Sequence, residues 1–197
     1  MDINNCLLCG VGGQGTVLAS KLIAFSAMQK GKNVRTSETI GMSQRGGSVV
    51  SHVRTGDCIS SPIIPKHTAQ VMIAFEPGEA VRNIDYLAPD GIVVVNNKAV
   101  MPTSANFGAE YSGDEMFLWL RKNVKRLVVV DGDSICDYCK SNKVLNIALL
   151  AVAANSGMLE MSAEELKDAV KKRINEKFHK VNLMAIDYAI EKYAALV

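Results

Sequence analysis

Net charge is the first thing this 197-residue sequence has little of: 22 Lys and Arg stand against 20 Asp and Glu, leaving +2. No overall field therefore draws the chain to nucleic acid or to an anionic membrane, and any anion binding must be local. Apolar runs are short, none approaching the roughly 20 residues that span a bilayer. The first residues, Met1, Asp2 and Ile3, carry an acid where a secretory leader carries basic residues. These absences lead us to expect a cytoplasmic protein with neither membrane nor nucleic acid among its partners. Cysteine is scarce and odd in number, at five, which fits free thiols in a reducing compartment. No C-x-x-C-x-x-C-x-x-x-C-P run exists, so the chain holds no ferredoxin-type cluster of its own.

What the sequence has is the composition of a globular protein, with 48% hydrophobic residues and only five prolines. At this length folding buries roughly 70% of the unfolded surface. Neither a linker nor an internal repeat divides the chain, so residues 1–197 are expected to form a single domain.

Alternating runs of strand and helix character set the fold class. Residues 3–9 end in a compact apolar run, a glycine cluster follows at once, and residues 16–25 have helical spacing up to the stop at Gly31. Residues 33–37 read as a second strand, completing a βαβ unit with a right-handed crossover. Further strands are expected at 49–54, 71–75, 92–95 and 127–130, and helices at about 78–86 and 114–122, with 38–48 a loop and 102–112 unassigned. The last third is helical, at 144–154, 163–174 and 182–196. The first of these is apolar all round except Asn146, and its lack of a solvent face suggests packing against another subunit. The expected fold is α/β, a mostly parallel Rossmann-like sheet of five to seven strands flanked by helices, with the C-terminal helices covering one side.

Gly10, Gly12 and Gly15 match the G-x-G-x-x-G spacing, with Gly13 and Gln14 between them, at a strand-to-helix turn. Glycines there permit positive φ and close backbone approach, and the helix start offers N–H groups to a phosphate. A nicotinamide site also needs an acid at the end of the second strand, to accept from the ribose hydroxyls. That place holds Arg35, Thr36 and Ser37, with Glu38 slightly beyond. The departure weakens NAD binding, and Arg35 leaves NADP open. A turn that merely lets a strand enter a helix is the competing reading.

Other chemistry-bearing residues are dispersed. Cys6 and Cys9 lie three apart on a strand, hence on opposite faces, and are expected to be buried thiols and not two ligands of one metal. Cys136 and Cys139 fit one helical face, where core or surface thiols are the default and a redox role the alternative. His52, His67 and His179 have no neighbouring nucleophile and are read as structural or solvated. The Gly-Asp-Gly and paired-Asn pattern that holds Mg²⁺ against thiamine diphosphate survives only as Asp131-Gly132-Asp133 and a misplaced Asn96-Asn97. In the glycine-rich run 41–48, Gly46 and Gly47 flank Arg45, a candidate anion contact.

Taken together, the turn at residues 10–15, the Ser37-Glu38 to Ser48 loop and Ala74-Phe75-Glu76-Pro77 resemble the gamma-type domain of 2-oxoacid:ferredoxin oxidoreductases, and within that family the indolepyruvate-type small subunits. The resemblance spans about residues 3–100, and the helical remainder fits it down to Asn182-Leu183. It departs from the usual pattern at Cys6 and Cys9, where aliphatic residues are the norm. It implies a non-autonomous subunit that takes part in oxidative decarboxylation of an aryl-pyruvate to an acyl-CoA, with ferredoxin as electron acceptor. It also implies that thiamine diphosphate, Mg²⁺ and 4Fe-4S clusters sit on a large partner subunit, that coenzyme A is the co-substrate, and that this chain alone binds no cofactor. On the same basis Gly10, Gly12, Gly13, Gln14, Gly15, Arg45, Gly46 and Gly47 form the expected cofactor-facing region. An isolated chain would pair with a second copy of itself. Two rival readings are a free-standing NADP- or flavin-binding enzyme and a nucleotide-sensing domain that binds a partner.

Overall fold

A computed structural model describes residues 3–40, 46–101 and 111–196. Its centre is a six-stranded sheet in the order β2-β3-β1-β4-β5-β6, formed by β1 (Ile3–Val11), β2 (Asn33–Ile40), β3 (Ser48–Gly56), β4 (Ala69–Ala74), β5 (Leu87–Asn96) and β6 (Arg126–Val130). Neighbours β1, β4, β5 and β6 pair in parallel, while β3 runs antiparallel to both β1 and β2. Among the described residues β3 alone therefore opposes the other five strands, and the expectation of a mostly parallel sheet holds.

The first βαβ unit differs from expectation. Helix α1 (Thr16–Gln29) leads to β2 as read, closed by Gly31 at φ 73°, but β2 does not pair with β1. Strand β3 lies between them, in register with β1 from Ile3↔Gly56 to Val11↔Ser48. Strand β2 also runs past Ser37 to Ile40, because residues up to that point keep pairing with β3.

Helices cover both faces. Helices α2 (Pro77–Arg82) and α3 (Gly113–Asn123) lie over one face, where Leu7, Cys9, Met72, Val93 and Val95 meet Ala80 and Leu120. The predicted helix at 78–86 is thus shorter, and residues 84–86 form a separate 3-10 turn. On the other face Cys6, Leu8, Val71, Ile73 and Val94 meet α1 and the C-terminal helices, α4 (Gly132–Cys139), α5 (Leu145–Asn155), α6 (Ala163–Arg173) and α7 (His179–Tyr193). Alternation along β1 sends Cys6 and Cys9 to opposite faces, as the strand period requires. Both thiols are raised by burial.

Helix α5 explains its own composition. Every residue from Asn146 to Ala154 is buried, between the sheet and its neighbours α1, α4, α6 and α7. Ile147, Leu149 and Leu150 are each 0% exposed, and burying such a side chain contributes about 1.5–3 kcal/mol. The chain's own helices enclose α5, so its missing solvent face is no sign of another subunit. The local signals agree with the fold at α6, where Ser162 and Glu165 form a reciprocal capping box and three basic residues occupy the last turn.

Candidate functional site

Strands β1, β4, β5 and β6 run in parallel, so their C-terminal ends and the loops that follow gather at one end of the sheet, where ligands of open α/β folds bind. Two amide side chains tie these four ends together. Gln14 accepts at Oε1 from Val11 N (2.7 Å) and donates from Nε2 to Phe75 O (3.2 Å), joining β1 to the end of β4. Asn96 donates from Nδ2 to the same Phe75 carbonyl (3.4 Å) and accepts at Oδ1 from Gly132 N (3.2 Å), carrying the link across β5 to the start of α4.

The predicted glycines fall into distinct roles. A Cβ at Gly10 would lie 2.7 Å from Gln14 Oε1 and 2.8 Å from Phe75 Cβ, so only glycine lets that amide fold back. Gly13 and Gly15 take φ of 102° and 89°. Gly13 is exposed with open space beyond it, whereas a Cβ at Gly15 would meet Asn146 Nδ2 at 2.6 Å. Gly12 N donates to Gly47 O (2.8 Å), which brings the second glycine-rich segment against the first. The structure thus joins Gly10, Gly12, Gly13, Gln14 and Gly15 to Gly46 and Gly47. Arg45 lies outside the described residues.

Two buried carboxylates that sequence reasoning missed complete this end of the sheet. Glu76, 2% exposed, caps α2 by accepting from Glu79 N (2.9 Å) and also accepts from Val100 N (3.3 Å) and the Tyr111 hydroxyl. It thereby fastens both flanks of the segment 102–110. Tyr111 is held well above the usual phenol range by burial and by that carboxylate. Glu79, 5% exposed, accepts from Ser48 Oγ (2.5 Å) and pairs with Arg82 Nε (3.2 Å). Ser48 directly follows Gly47, so Glu79 anchors the second glycine-rich segment. The one available signal was the Glu-Pro step at the head of a short helix, where an acid can cap.

This geometry counts against a nicotinamide site. The inserted β3 places β2 two strand spacings from β1, roughly 10 Å, and the acid nearest its end, Glu38, instead accepts from Ser20 Oγ (3.2 Å). Helix α1 starts with neither a side-chain cap nor an acid in its first turn, which leaves the positive end of its dipole uncompensated.

Among the described residues no group of three or more His, Cys, Asp or Glu is placed to bind a metal ion. Three residues of the broken thiamine pattern, Asn96, Asp131 and Asp133, are engaged elsewhere. Asp131 caps α4 through Ser134 N (3.1 Å), Asp133 pairs with Lys98 (3.0 Å), and Asn96 is held as above. They do not fit a Mg²⁺–diphosphate site. Cys136 and Cys139 are buried in the helical core and raised by burial, which favours the core-thiol reading over a redox pair. His52 is also structural. It is 4% exposed, its Nδ1 accepts from Ile64 N (3.3 Å), and its ring meets Tyr86 edge to face at 5.3 Å.

Fold and site together define a three-layer α/β chain whose loops gather at the C-terminal strand ends and whose phosphate-type turn is fastened to its own neighbours. Comparison with known proteins makes the assignment specific. The profile of the pyruvate ferredoxin/flavodoxin oxidoreductase family matches residues 5–192. The indolepyruvate oxidoreductase subunit IorB of Archaeoglobus fulgidus is 37% identical, over 92% of this chain and 91% of its own length. The pyruvate/ketoisovalerate oxidoreductases common subunit gamma of Pyrococcus furiosus is 29% identical over 93% of each chain. The crystal structure of the keto/oxoacid ferredoxin oxidoreductase gamma subunit of Geobacter sulfurreducens superposes with a TM-score of 0.74 at 21% identity, covering 100% of this chain and 99% of that one. The chain belongs to the pyruvate ferredoxin/flavodoxin oxidoreductase family, and these relatives are subunits of 2-oxoacid ferredoxin oxidoreductases.

Proposed function

We propose that this chain is the small, cofactor-free subunit of an indolepyruvate-type ferredoxin oxidoreductase. In this reading residues 1–197 form one gamma-type domain that docks on a large cytoplasmic subunit carrying thiamine diphosphate, Mg²⁺ and 4Fe-4S clusters. The complex decarboxylates an aryl-pyruvate oxidatively to the acyl-CoA and passes two electrons to ferredoxin. The loops at residues 10–15 and 45–47 face the shared site, where Arg45 meets an anionic group of a substrate or of coenzyme A.

The observation that carries this reading is the near end-to-end match to indolepyruvate oxidoreductase subunits, at 37% and 31% identity for those of Archaeoglobus fulgidus and Pyrococcus horikoshii. It is supported by a glycine turn whose amide side chain and Gly12 N–H are engaged within the chain, as befits a surface completed by a partner. A free-standing NADP- or flavin-binding enzyme fits less well, because β3 displaces the strand whose end would hold the ribose. Co-expression with a large chain carrying a thiamine pattern and ferredoxin-type cysteines tests the proposal. The two should co-purify and oxidise indolepyruvate in preference to pyruvate; a lone chain that binds NADPH stoichiometrically and turns over without a partner refutes it.

A further inference from the structure

Helix α2 does not need the carboxylate of Glu79. An acid in the first turn of a helix can reach back to complete the cap, but Glu76 already caps α2, accepting from Glu79 N (2.9 Å). The Glu79 carboxylate turns elsewhere. Its Oε2 accepts from Ser48 Oγ (2.5 Å), 31 positions earlier in the chain, and its Oε1 accepts from Arg82 Nε (3.2 Å). The residue is 5% exposed. Burying a carboxylate costs desolvation that a packed apolar side chain avoids, so folding alone gives no reason for an acid at this position.

What Glu79 holds is the start of β3. Ser48 pairs with Val11 in the β1–β3 register, and Gly47, just before it, accepts at its carbonyl from Gly12 N (2.8 Å). Glycines contribute no side chain to packing, so polar bonds must set the path of Gly46 and Gly47. One of these bonds ties the segment to the glycine turn and the other ties it to α2. Ser48 is itself exposed while its partner is buried, so the bond draws a surface strand end down onto the fold.

We propose that Glu79 is a positioning residue of the shared site, holding Gly46 and Gly47 through Ser48 where an anionic substrate is received. The inference rests on the reading above that residues 45–47 face that site. Indolepyruvate and coenzyme A both carry an anionic group, and the experiment distinguishes them. Glu79 acts only through Ser48 and touches no substrate.

Amide exchange at Gly12 in the full chain reports the Gly12–Gly47 bond. Ser48→Ala, which alters an exposed side chain, and Glu79→Ala should each speed that exchange about tenfold. Glu79→Gln keeps a carbonyl oxygen for Ser48, and Arg82, its side chain 61% exposed, can turn to solvent, so exchange should stay near the wild-type rate. In the complex with the large chain, Ser48→Ala and Glu79→Ala should raise KM about tenfold for indolepyruvate or for coenzyme A, with kcat within about twofold and KM restored in Glu79→Gln. The substrate whose KM moves is the one received there. Val170→Ala, in the core on the other face of the sheet, should lower the melting temperature and move neither KM. The proposal is overturned if Ser48→Ala leaves either the Gly12 exchange or both KM values unaffected. It is equally overturned if Glu79→Gln is as impaired as Glu79→Ala, or if Val170→Ala raises KM as much, since Glu79 would then only stabilise the fold. A wild-type complex without turnover counts against the proposed function instead, and Gly12 exchange then decides the anchor by itself.

Discussion

Replacing Gly15 by Ala separates the structural role of the glycine turn from a ligand-binding one. Gly15 sits at φ 89°, a region that costs an L-residue about 1–2 kcal/mol. An added Cβ would also lie 2.6 Å from Asn146 Nδ2 and 3.1 Å from its Cγ. Asn146 is 6% exposed and its Oδ1 already accepts from Ile147 N (2.9 Å), so it has little room to yield. Such overlap in a packed interior costs a further 1–3 kcal/mol or so. Together they predict a loss of about 3 kcal/mol, hence a melting temperature lower by roughly 6–12 °C for a chain of this size. Gly13→Ala is the internal control. Its φ of 102° carries similar strain, but nothing lies within 4 Å of the added carbon, so its loss should be about 1–2 kcal/mol. The double variant Gly15→Ala/Asn146→Ala should recover part of the overlap cost, read as a coupling energy in a thermal or urea melt. If Gly15→Ala proves no worse than Gly13→Ala, the claim that this glycine seats α1 against α5 is wrong.

Three further outcomes follow from the same geometry. Gln14→Glu sets a carboxylate against the Phe75 carbonyl it now donates to, so urea denaturation should show a larger loss than for Gln14→Ala, itself costing about 1–3 kcal/mol. Native thiol titration with a chromogenic disulfide should count one fast thiol, the exposed Cys58, while the four buried cysteines react only on unfolding. Burial lowers the His52 pKa below its ordinary 6.5, so the folded state holds fewer protons than the unfolded one as pH falls. The associated stability is present above about pH 6.5 and is lost as pH drops through the folded pKa; melts of wild type and His52→Gln should differ most in slope across that window.

Most of the layer plan was legible in the sequence because it rests on local periodicity. The run at 3–9, the glycine cluster and the helix after it could be read directly, as could the β-branched runs of β5 and β6. Strand order was not legible in the same way. Residues 49–54 read as a strand, yet nothing local tells such a strand which neighbours it will take, and β3 inserted itself between β1 and β2. Helix α5, apolar but for Asn146 and its terminal Asn155, was recognised as enclosed but assigned the wrong enclosure, since periodicity reports burial and not who provides it. At the site, glycine spacing marked the turn, and the family resemblance grouped it with Gly46 and Gly47, whose contact through Gly12 N and Gly47 O only the structure shows. Gln14, Asn96, Glu76 and Glu79 became visible as the fastenings of the strand ends only in three dimensions, because a polar residue after a strand looks the same whether it faces water or folds back.

The same fastenings bear on the family assignment. A dinucleotide turn leaves its backbone open for a phosphate, whereas here Gly12 N meets Gly47 O and Gln14 closes over β1 and β4. The turn therefore acts as a frame that positions the second glycine-rich segment. Under the proposed function, this chain shapes a site whose reactive groups lie on a partner.

Anaerobic reconstitution is the most direct test of that division. Reduction of ferredoxin should be followed with the small chain, the large chain and their mixture, each supplied with indolepyruvate and coenzyme A. The account predicts no turnover by the small chain and restoration only on mixing, dependent on both substrates. Full activity of the large chain alone, or nicotinamide reduction by the small chain alone, would contradict it.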